Sequence, residues 1–269
     1  MTTIKYCLAV CLTMYSFTVF SHGIVHQQID ELTQQIEQNP TNTQLLLKRG
    51  LLYTNDQNWL KAREDFNATR QLNSVDSVVD FLEAKMWFAA NRPELSFTLV
   101  NRYLQGSPDV LGALALRAKL NLMLGYADAA VADFASATGR SKTVLPDMYL
   151  QWAKAQATVV PLNQQKVHQI IQAGIDRLGP LVALLEYAID FDRQQQNGQS
   201  ALLWLEKLPL KLRQQPFWLI EKATLLESVN KSLEAKMQYK LALDRLQEKK
   251  QTGRFNKADQ QLFEKINQF

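Results

Sequence analysis

The sequence has little of what disulfide-bonded, redox and metal-dependent proteins need. It contains 2 cysteines and 3 histidines among 269 residues, with only 10 glycines and 8 prolines. Both cysteines, Cys7 and Cys11, lie in one apolar segment at the N-terminus. The rest of the chain therefore has no thiol for a disulfide framework, a CxxC redox pair or a thiolate metal site. The low glycine and proline content disfavours a β-sandwich or barrel, and the abundant Leu, Ala, Gln, Lys and Glu favour helices.

The sequence also lacks a strong charge excess and any catalytic motif. The formal charge of +4 on a chain of this length is nearly balanced, whereas a general nucleic-acid binder normally carries a concentrated basic excess. HExxH, GxSxG, Walker and GxGxxG patterns are missing. Paired carboxylates such as Glu64 and Asp65 fall on a helical face that we expect to be solvated. We therefore predict a protein that is not an enzyme, uses no cofactor and binds no nucleic acid.

Residues 1–21 have the pattern of a secretory signal. Lys5 is the only charge and precedes an apolar run, which is shorter than the ~20 residues that a membrane-spanning helix needs. Val19 and Ser21 are small enough for the subsites that a signal peptidase reads, so cleavage before His22 is expected. The alternative is that the segment is retained as a membrane anchor.

Residues 24–38 form the first predicted helix. Val25, Ile29, Leu32 and Ile36 recur at offsets of four, three and four, which places them on one helical face. The following Asn-Pro pair ends the helix, because a residue before proline is biased away from the α region. A single helix cannot bury this stripe alone, so it must pack on the helices that come after it in the chain.

Residues 43–74 predict two short helices joined by a polar turn. Small and aromatic residues take set positions in the pair: Leu46, Gly50 and Tyr53 on the first helix, and Ala62 and Phe66 on the second. A small residue on each helix lets the two backbones approach closely, while the aromatic rings fill the space above and below.

The small positions recur along the chain. At 34-residue steps the first series is Gly50, Ala84 and Ala118, and the second is Ala62, Ser96 and Ala130. The first series continues at 35-residue steps with Ala153, Ala188 and Ala223. Such self-similarity is typical of repeat architectures.

This pattern resembles the tetratricopeptide repeat (TPR), a 34-residue helix–turn–helix unit. The resemblance implies an all-α fold, a right-handed α-solenoid of about six units over residues 22–269, of the exported bacterial type. The units are 43–76, 77–110, 111–144, 146–179, 181–214 and 216–249, of which the fourth and fifth are degenerate. Residues 24–38 and 256–269 are predicted to be the capping helices that repeat stacks need. Arg49 and Arg117 depart from the family pattern, which usually has an apolar residue there.

The resemblance also implies a concave groove lined by the first helix of each unit. The residue after each small position should face it: Leu51, Lys85, Lys119, Lys154, Ile189 and Thr224. Three successive units therefore place a lysine on the inner wall, with Phe81, Ala115 and Leu150 one helical turn earlier. Lysines interleaved with apolar side chains suit an extended peptide that bears carboxylates. The competing interpretation is that these are ordinary solvated lysines.

The leading hypothesis is a periplasmic scaffold that binds a protein or peptide segment in its groove. One alternative is a membrane-tethered envelope assembly factor that keeps its N-terminal segment. Another is a metal-handling protein, because cleavage before His22 would place a free amine and imidazole near His26, and copper and zinc accept such nitrogen ligands.

Overall fold

A computed structural model describes residues 24–73, 77–140 and 145–266. The predicted signal segment, His22, Ser74 and Phe269 lie outside the described residues. The described helices are α1 (24–38), α2 (Thr43–Asn55), α3 (Trp59–Leu72), α4 (Val78–Ala89), α5 (Pro93–Gly106), α6 (Leu111–Met123), α7 (Ala127–Arg140), α8 (Pro146–Thr158), α9 (Gln164–Leu178), α10 (Val182–Gln194), α11 (Gly198–Glu206), α12 (Leu210–Arg213), α13 (Pro216–Ser228), α14 (Ser232–Gln251) and α15 (Lys257–Ile266). No β-strand occurs in these ranges. The prediction of an all-α fold is confirmed.

The chain divides into two compact units, Met1–Lys142 and Thr143–Phe269. In the first unit α2 pairs with α3, α4 with α5, and α6 with α7. The first helices of these pairs are neighbours, because α4 packs against both α2 and α6. In the second unit α8 pairs with α9, α10 with α11, and α13 with α14, while α15 packs on α13 and α14. The consecutive helix–turn–helix pairs expected from the spacing are present.

The tight turns between paired helices share one backbone conformation. Five of them contain a residue with positive φ: Gln57 (φ 59), Asn91 (φ 54), Gly125 (φ 84), Gln196 (φ 56) and Asn230 (φ 61). The next backbone N–H then donates to a carbonyl five residues earlier, as in Asn58 N to Tyr53 O at 2.8 Å and Tyr126 N to Asn121 O at 2.7 Å. A left-handed residue after a helix end satisfies carbonyls that have no helical partner. These turns therefore set the antiparallel geometry of the five pairs that contain them.

The predicted small residues of the first helices are buried in the structure. Ala84, Ala118, Ala153, Ala188 and Ala223 are all fully buried. At the equivalent Gly50, an added Cβ would lie 2.9 Å from Cε1 of the buried Phe66 ring. The expected role of small and aromatic residues in packing is confirmed.

Arginines at the unusual positions Arg49 and Arg117 bridge successive pairs. Arg49 on α2 donates to Asp65 on α3 at 2.6 and 3.0 Å and to Thr33 on α1 at 3.0 Å. The same geometry recurs 68 residues later. Arg117 on α6 donates to Asp133 on α7 at 2.6 and 2.9 Å.

The third contact of this bridge also recurs, from Arg117 to Asn101 on α5 at 3.1 Å. Asn121 donates a further hydrogen bond to Asp133 at 3.0 Å. Asp65 is 3% exposed, so the expectation that the Glu64–Asp65 pair is solvated is wrong for Asp65. Burial of this carboxylate is possible because a guanidinium meets both of its oxygens.

The last helix begins with a capping box formed by Asn256 and Asp259. The Asn256 side chain accepts from Asp259 N at 3.0 Å, and the Asp259 carboxylate accepts from Asn256 N at 3.1 Å. Leu262, Phe263 and Ile266 pack on the core of the second unit. This reciprocal pairing satisfies backbone donors at the helix start.

We expect Gly50→Val to destabilise the first unit, because the new side chain would collide with Phe66. Overpacking costs about 1–3 kcal/mol, and the gain in helix propensity over glycine is only about 0.4 kcal/mol. Urea denaturation should show a lower free energy of unfolding. Gly106→Val is the control, since a Cβ at Gly106 meets nothing within 4 Å. Equal effects of the two changes would show that the close contact is not limiting.

We expect Arg49→Met to lower the free energy of unfolding by about 3 kcal/mol, because it leaves the buried carboxylate of Asp65 without its cation. The double change Arg49→Met with Asp65→Leu should recover most of this loss, since apolar residues replace buried ion pairs well. Arg245→Met is the control, because its ion pair with Glu248 is exposed and should contribute less than about 1 kcal/mol. A double variant no more stable than Arg49→Met would contradict this account.

Candidate partner-binding surface

The predicted lysines of the first unit lie on neighbouring first helices. Lys85 on α4 is exposed and Lys119 on α6 is partly exposed. The Lys85 Nζ lies 5.8 Å from the centre of the Phe81 ring. Among the described residues, no carboxylate oxygen lies within 4 Å of either Nζ. We call the surface of α4 and α6 around these lysines the lysine face.

Phe81 lies beside Lys85 and packs against α5 and α6. Its ring stacks on Tyr103 of α5 with centroids 5.1 Å apart, and it lies beside Gly112 at the start of α6. Phe81 is only partly buried. The ring therefore joins α4, α5 and α6 while leaving an edge beside Lys85, and Ala115 on α6 is likewise partly exposed.

The third predicted lysine belongs to the second unit. Lys154 on α8 is exposed, and its Nζ lies 5.8 Å from the ring centre of Tyr187 on α10. Burial raises the pKa of Tyr187 to about 12, so this ring stays neutral at physiological pH. Leu150 packs against the core of the second unit. It therefore offers less free apolar surface than the pattern suggested.

A cleft lies between α10 and α13 in the second unit. Its volume is about 420 Å³, and it is lined by Glu186, Ile189, Asp190, Arg193, Phe217, Trp218 and Glu221. Arg193 crosses it, donating to Asp190 at 2.5 Å and to Glu221 at 2.9 Å. Ile189 was predicted to face the groove, and it lines this cleft although its side chain is 2% exposed.

The cleft departs from the lysine pattern in its charge. Three carboxylates and one guanidinium line it, so its polarity is opposite to that of the lysine face. Spacing alone did not reveal it. Pro209 and Pro216, which precede α12 and begin α13, were the available signal that the fifth unit ends irregularly.

No protein-family model matches the sequence, and no curated protein does. Solved structures do match. The C-terminal part of a TPR repeat-containing protein from Cytophaga hutchinsonii is 13% identical, covering 93% of this chain and 98% of that one, with a TM-score of 0.67. YrrB, described as a TPR protein with an unusual peptide-binding site, is 11% identical over 78% of this chain and 97% of its own, with a TM-score of 0.54.

PilW, described as a widely conserved type IV pilus biogenesis factor, is also similar. It is 9% identical, covers 82% of this chain and 98% of its own, and has a TM-score of 0.52. The chain has the tetratricopeptide-repeat fold. Likeness at this level of identity shows the fold alone.

The His22–His26 metal site stays a prediction, because the structure describes only one of these two histidines. His22 lies outside the described residues, and the His26 side chain is 60% exposed with Nε2 3.9 Å from Asp56 Oδ1. The described ranges contain no group of three or more His, Cys, Asp or Glu side chains arranged to hold a metal ion. Within the same ranges, no helix is long and apolar enough to cross a membrane.

His168 takes part in a buried polar cluster that the sequence did not indicate. Asp192 on α10 is fully buried. One of its oxygens lies 2.7 Å from His168 Nε2 on α9, and the other accepts from Trp204 Nε1 on α11 at 2.9 Å. Counted from the N-caps of their helices, Trp204 is equivalent to Asp65, so an indole donor replaces a carboxylate. This arrangement ties three helices of two TPR units together rather than forming an open reaction site.

Proposed function

We propose that this chain is a non-catalytic interaction scaffold whose lysine face holds an extended, carboxylate-bearing segment of a partner protein. The main support is that neither Lys85 nor Lys119 forms an ion pair with a carboxylate among the described residues. Their side chains stand at equivalent positions of adjacent first helices, with no carboxylate partner among the described residues. An extended chain crossing both helices meets two cations in succession.

The contrast with the unit's arginines supports this assignment. Arg49, Arg70 and Arg117 each contact at least one buried carboxylate at 2.6 Å. Their charges therefore stabilise the packing of the helices. The two lysines make no such contribution to the fold. Their charge is available for a ligand, and electrostatic complementarity of this kind favours rapid and selective association.

The form of the surface also favours binding over catalysis. The lysine face is made of side chains on rigid helices, with a partly buried aromatic ring beneath them. Nothing among its described residues resembles a nucleophile paired with a base. A TPR neighbour, YrrB, is described as having a peptide-binding site, which is consistent with a peptide or protein partner here.

The test is selection of random dodecapeptides displayed on phage against the wild-type protein. We expect the enriched sequences to be rich in Asp and Glu, and we expect the double change Lys85→Glu with Lys119→Glu to weaken the best synthetic peptide about tenfold or more. Circular dichroism and the melting temperature should stay near wild type, because neither lysine makes an ion pair with the described residues.

The matched control is Lys236→Glu with Lys240→Glu. Both lysines are exposed on α14, a second helix of the other unit, and the change in net charge is the same. Enrichment of neutral or basic peptides, or equal loss of affinity in both double variants, would exclude specific recognition by the lysine face.

We further propose that the protein is exported and works in the periplasm. The support is the charge, apolar run and small residues of positions 1–21. PilW, which has a similar fold, is described as a pilus biogenesis factor. The alternative is a membrane-tethered factor that keeps the segment.

N-terminal sequencing of the protein recovered from a Gram-negative host should distinguish these. We expect the mature chain to begin at His22 and to appear in the periplasmic fraction. An intact N-terminus in carbonate-resistant membranes would instead establish the tethered form, and an intact N-terminus in the cytoplasm would exclude export.

A further inference from the structure

A second cleft lies on the other side of the first unit, between the second helices α3 and α5. Its volume is about 420 Å³, and it is lined by Arg63, Glu83, Trp87, Leu95, Thr98, Leu99 and Arg102. It shares no residue with the lysine face. The cleft is bounded by α3, α4 and α5, and α4 packs directly on both of the others, so its shape is part of the fold.

The base of this cleft is apolar and held in place. Trp87 on α4 donates its indole N–H to Glu83 at 3.2 Å, and Glu83 in turn accepts from Arg70 at 2.6 Å. The polar requirement of the indole is therefore met within the protein, and the ring itself is left as a hydrophobic surface. Leu99 lies beneath and is 9% exposed, whereas Leu95 at the rim is 49% exposed.

The rim of the cleft is cationic. Arg63 on α3 is exposed, has no carboxylate partner among the described residues, and lies with its guanidinium 6.0 Å from the Trp87 ring centre. Arg102 on α5 reaches Asp80 only at 3.3 and 3.4 Å, and Asp80 also accepts a shorter bond of 2.9 Å from Arg70. Both guanidiniums thus retain donors that face solvent.

We propose that this cleft is a second docking site, which binds a partner segment carrying a leucine or phenylalanine flanked by carboxylates. The apolar side chain packs on Trp87 and Leu99, and the carboxylates meet Arg63 and Arg102. A basic segment is disfavoured, because its charges would face two guanidiniums. The proposal is independent of the lysine face, because the two surfaces share no residue. Trp87 and Lys85 both lie on α4, but an offset of two residues turns their side chains about 200° apart around the helix.

The probe is a fluorescein-labelled, acetylated dodecapeptide in which leucine and phenylalanine alternate with glutamate, and the reference is its lysine counterpart. Fluorescence anisotropy with the full chain measures the affinity of each. We expect binding of the acidic peptide only, weakened by added salt. Arg63→Glu should reduce the affinity about five- to tenfold, and Leu95→Asp should reduce it by a similar factor through loss of apolar contact at the rim.

Leu60→Asp is the matched control for Leu95→Asp. Leu60 is 69% exposed near the start of α3 and does not line the cleft, so its replacement should leave the affinity unchanged. Photo-leucine in the acidic peptide should cross-link to α4 or α5 near Trp87 and Thr98. Arg63 and Leu95 are both exposed, so neither change is expected to unfold the chain, and circular dichroism checks this.

Three results would overturn the proposal. One is failure of the wild-type chain to bind the acidic peptide. Another is equal binding of the lysine peptide. The third is loss of binding in Lys85→Glu with Lys119→Glu but not in Arg63→Glu, which would place the peptide on the lysine face instead.

Discussion

The close approach of paired helices at small residues is the constraint on which the rest of the structure depends. Where Gly50 meets Phe66, there is no room for even one more carbon. At the equivalent position of the later pairs stands a fully buried alanine. Because the backbones come so near, the flanking side chains are forced outward into two sets, one facing the neighbouring pair and one facing solvent. The division between structural and binding residues begins with this contact.

Charge is used differently in these two sets. Arg49 and Arg117, just before the small position, donate to Thr33 and Asn101 on the preceding helix. The same guanidiniums also meet almost fully buried carboxylates on the second helix of their own pair. A buried charge pair is a poor source of net stability but a strong source of specificity, because mispacking would strand an ion in an apolar environment. The bridge Thr33–Arg49–Asp65 recurs as Asn101–Arg117–Asp133, so the same polar contact links a first helix to the helix before it at two places in the first unit.

Much of the fold was predictable because it depends on residues close in sequence. The helix pairs, the small positions and the capping box at Asn256 follow from spacings of three, four or 34 residues, which a single sequence displays. The burial of Asp65 was not predictable from local pattern, since the carboxylate is polar and its Arg49 partner is defined only once the helices pack. The burial of Asp192 was not predictable for the same reason, because its partners His168 and Trp204 lie on two other helices.

The candidate site was predictable only in part. The position after each small residue was expected to face a groove, and this locates Lys85, Lys119 and Ile189 on first helices. The periodic pattern described neither cleft, because each is lined by side chains from different helices: Arg193 with Glu221 in the second unit, and Arg63 with Trp87 in the first. Sequence spacing does not show which residues meet across helices.

In a repeat protein, binding surfaces arise at positions whose side chains are not needed for packing between the helices. The small positions and the inter-pair arginines are constrained by packing, so they cannot be altered to suit a ligand without cost to stability. Lys85, Lys119 and Arg63 are under no such constraint, since none makes an ion pair with the described residues. Their common positive charge places cations on both sides of the first unit. A partner segment rich in carboxylates would thus be attracted to either side, and the apolar contacts of each side would decide between them, through Phe81 on one and Trp87 with Leu99 on the other.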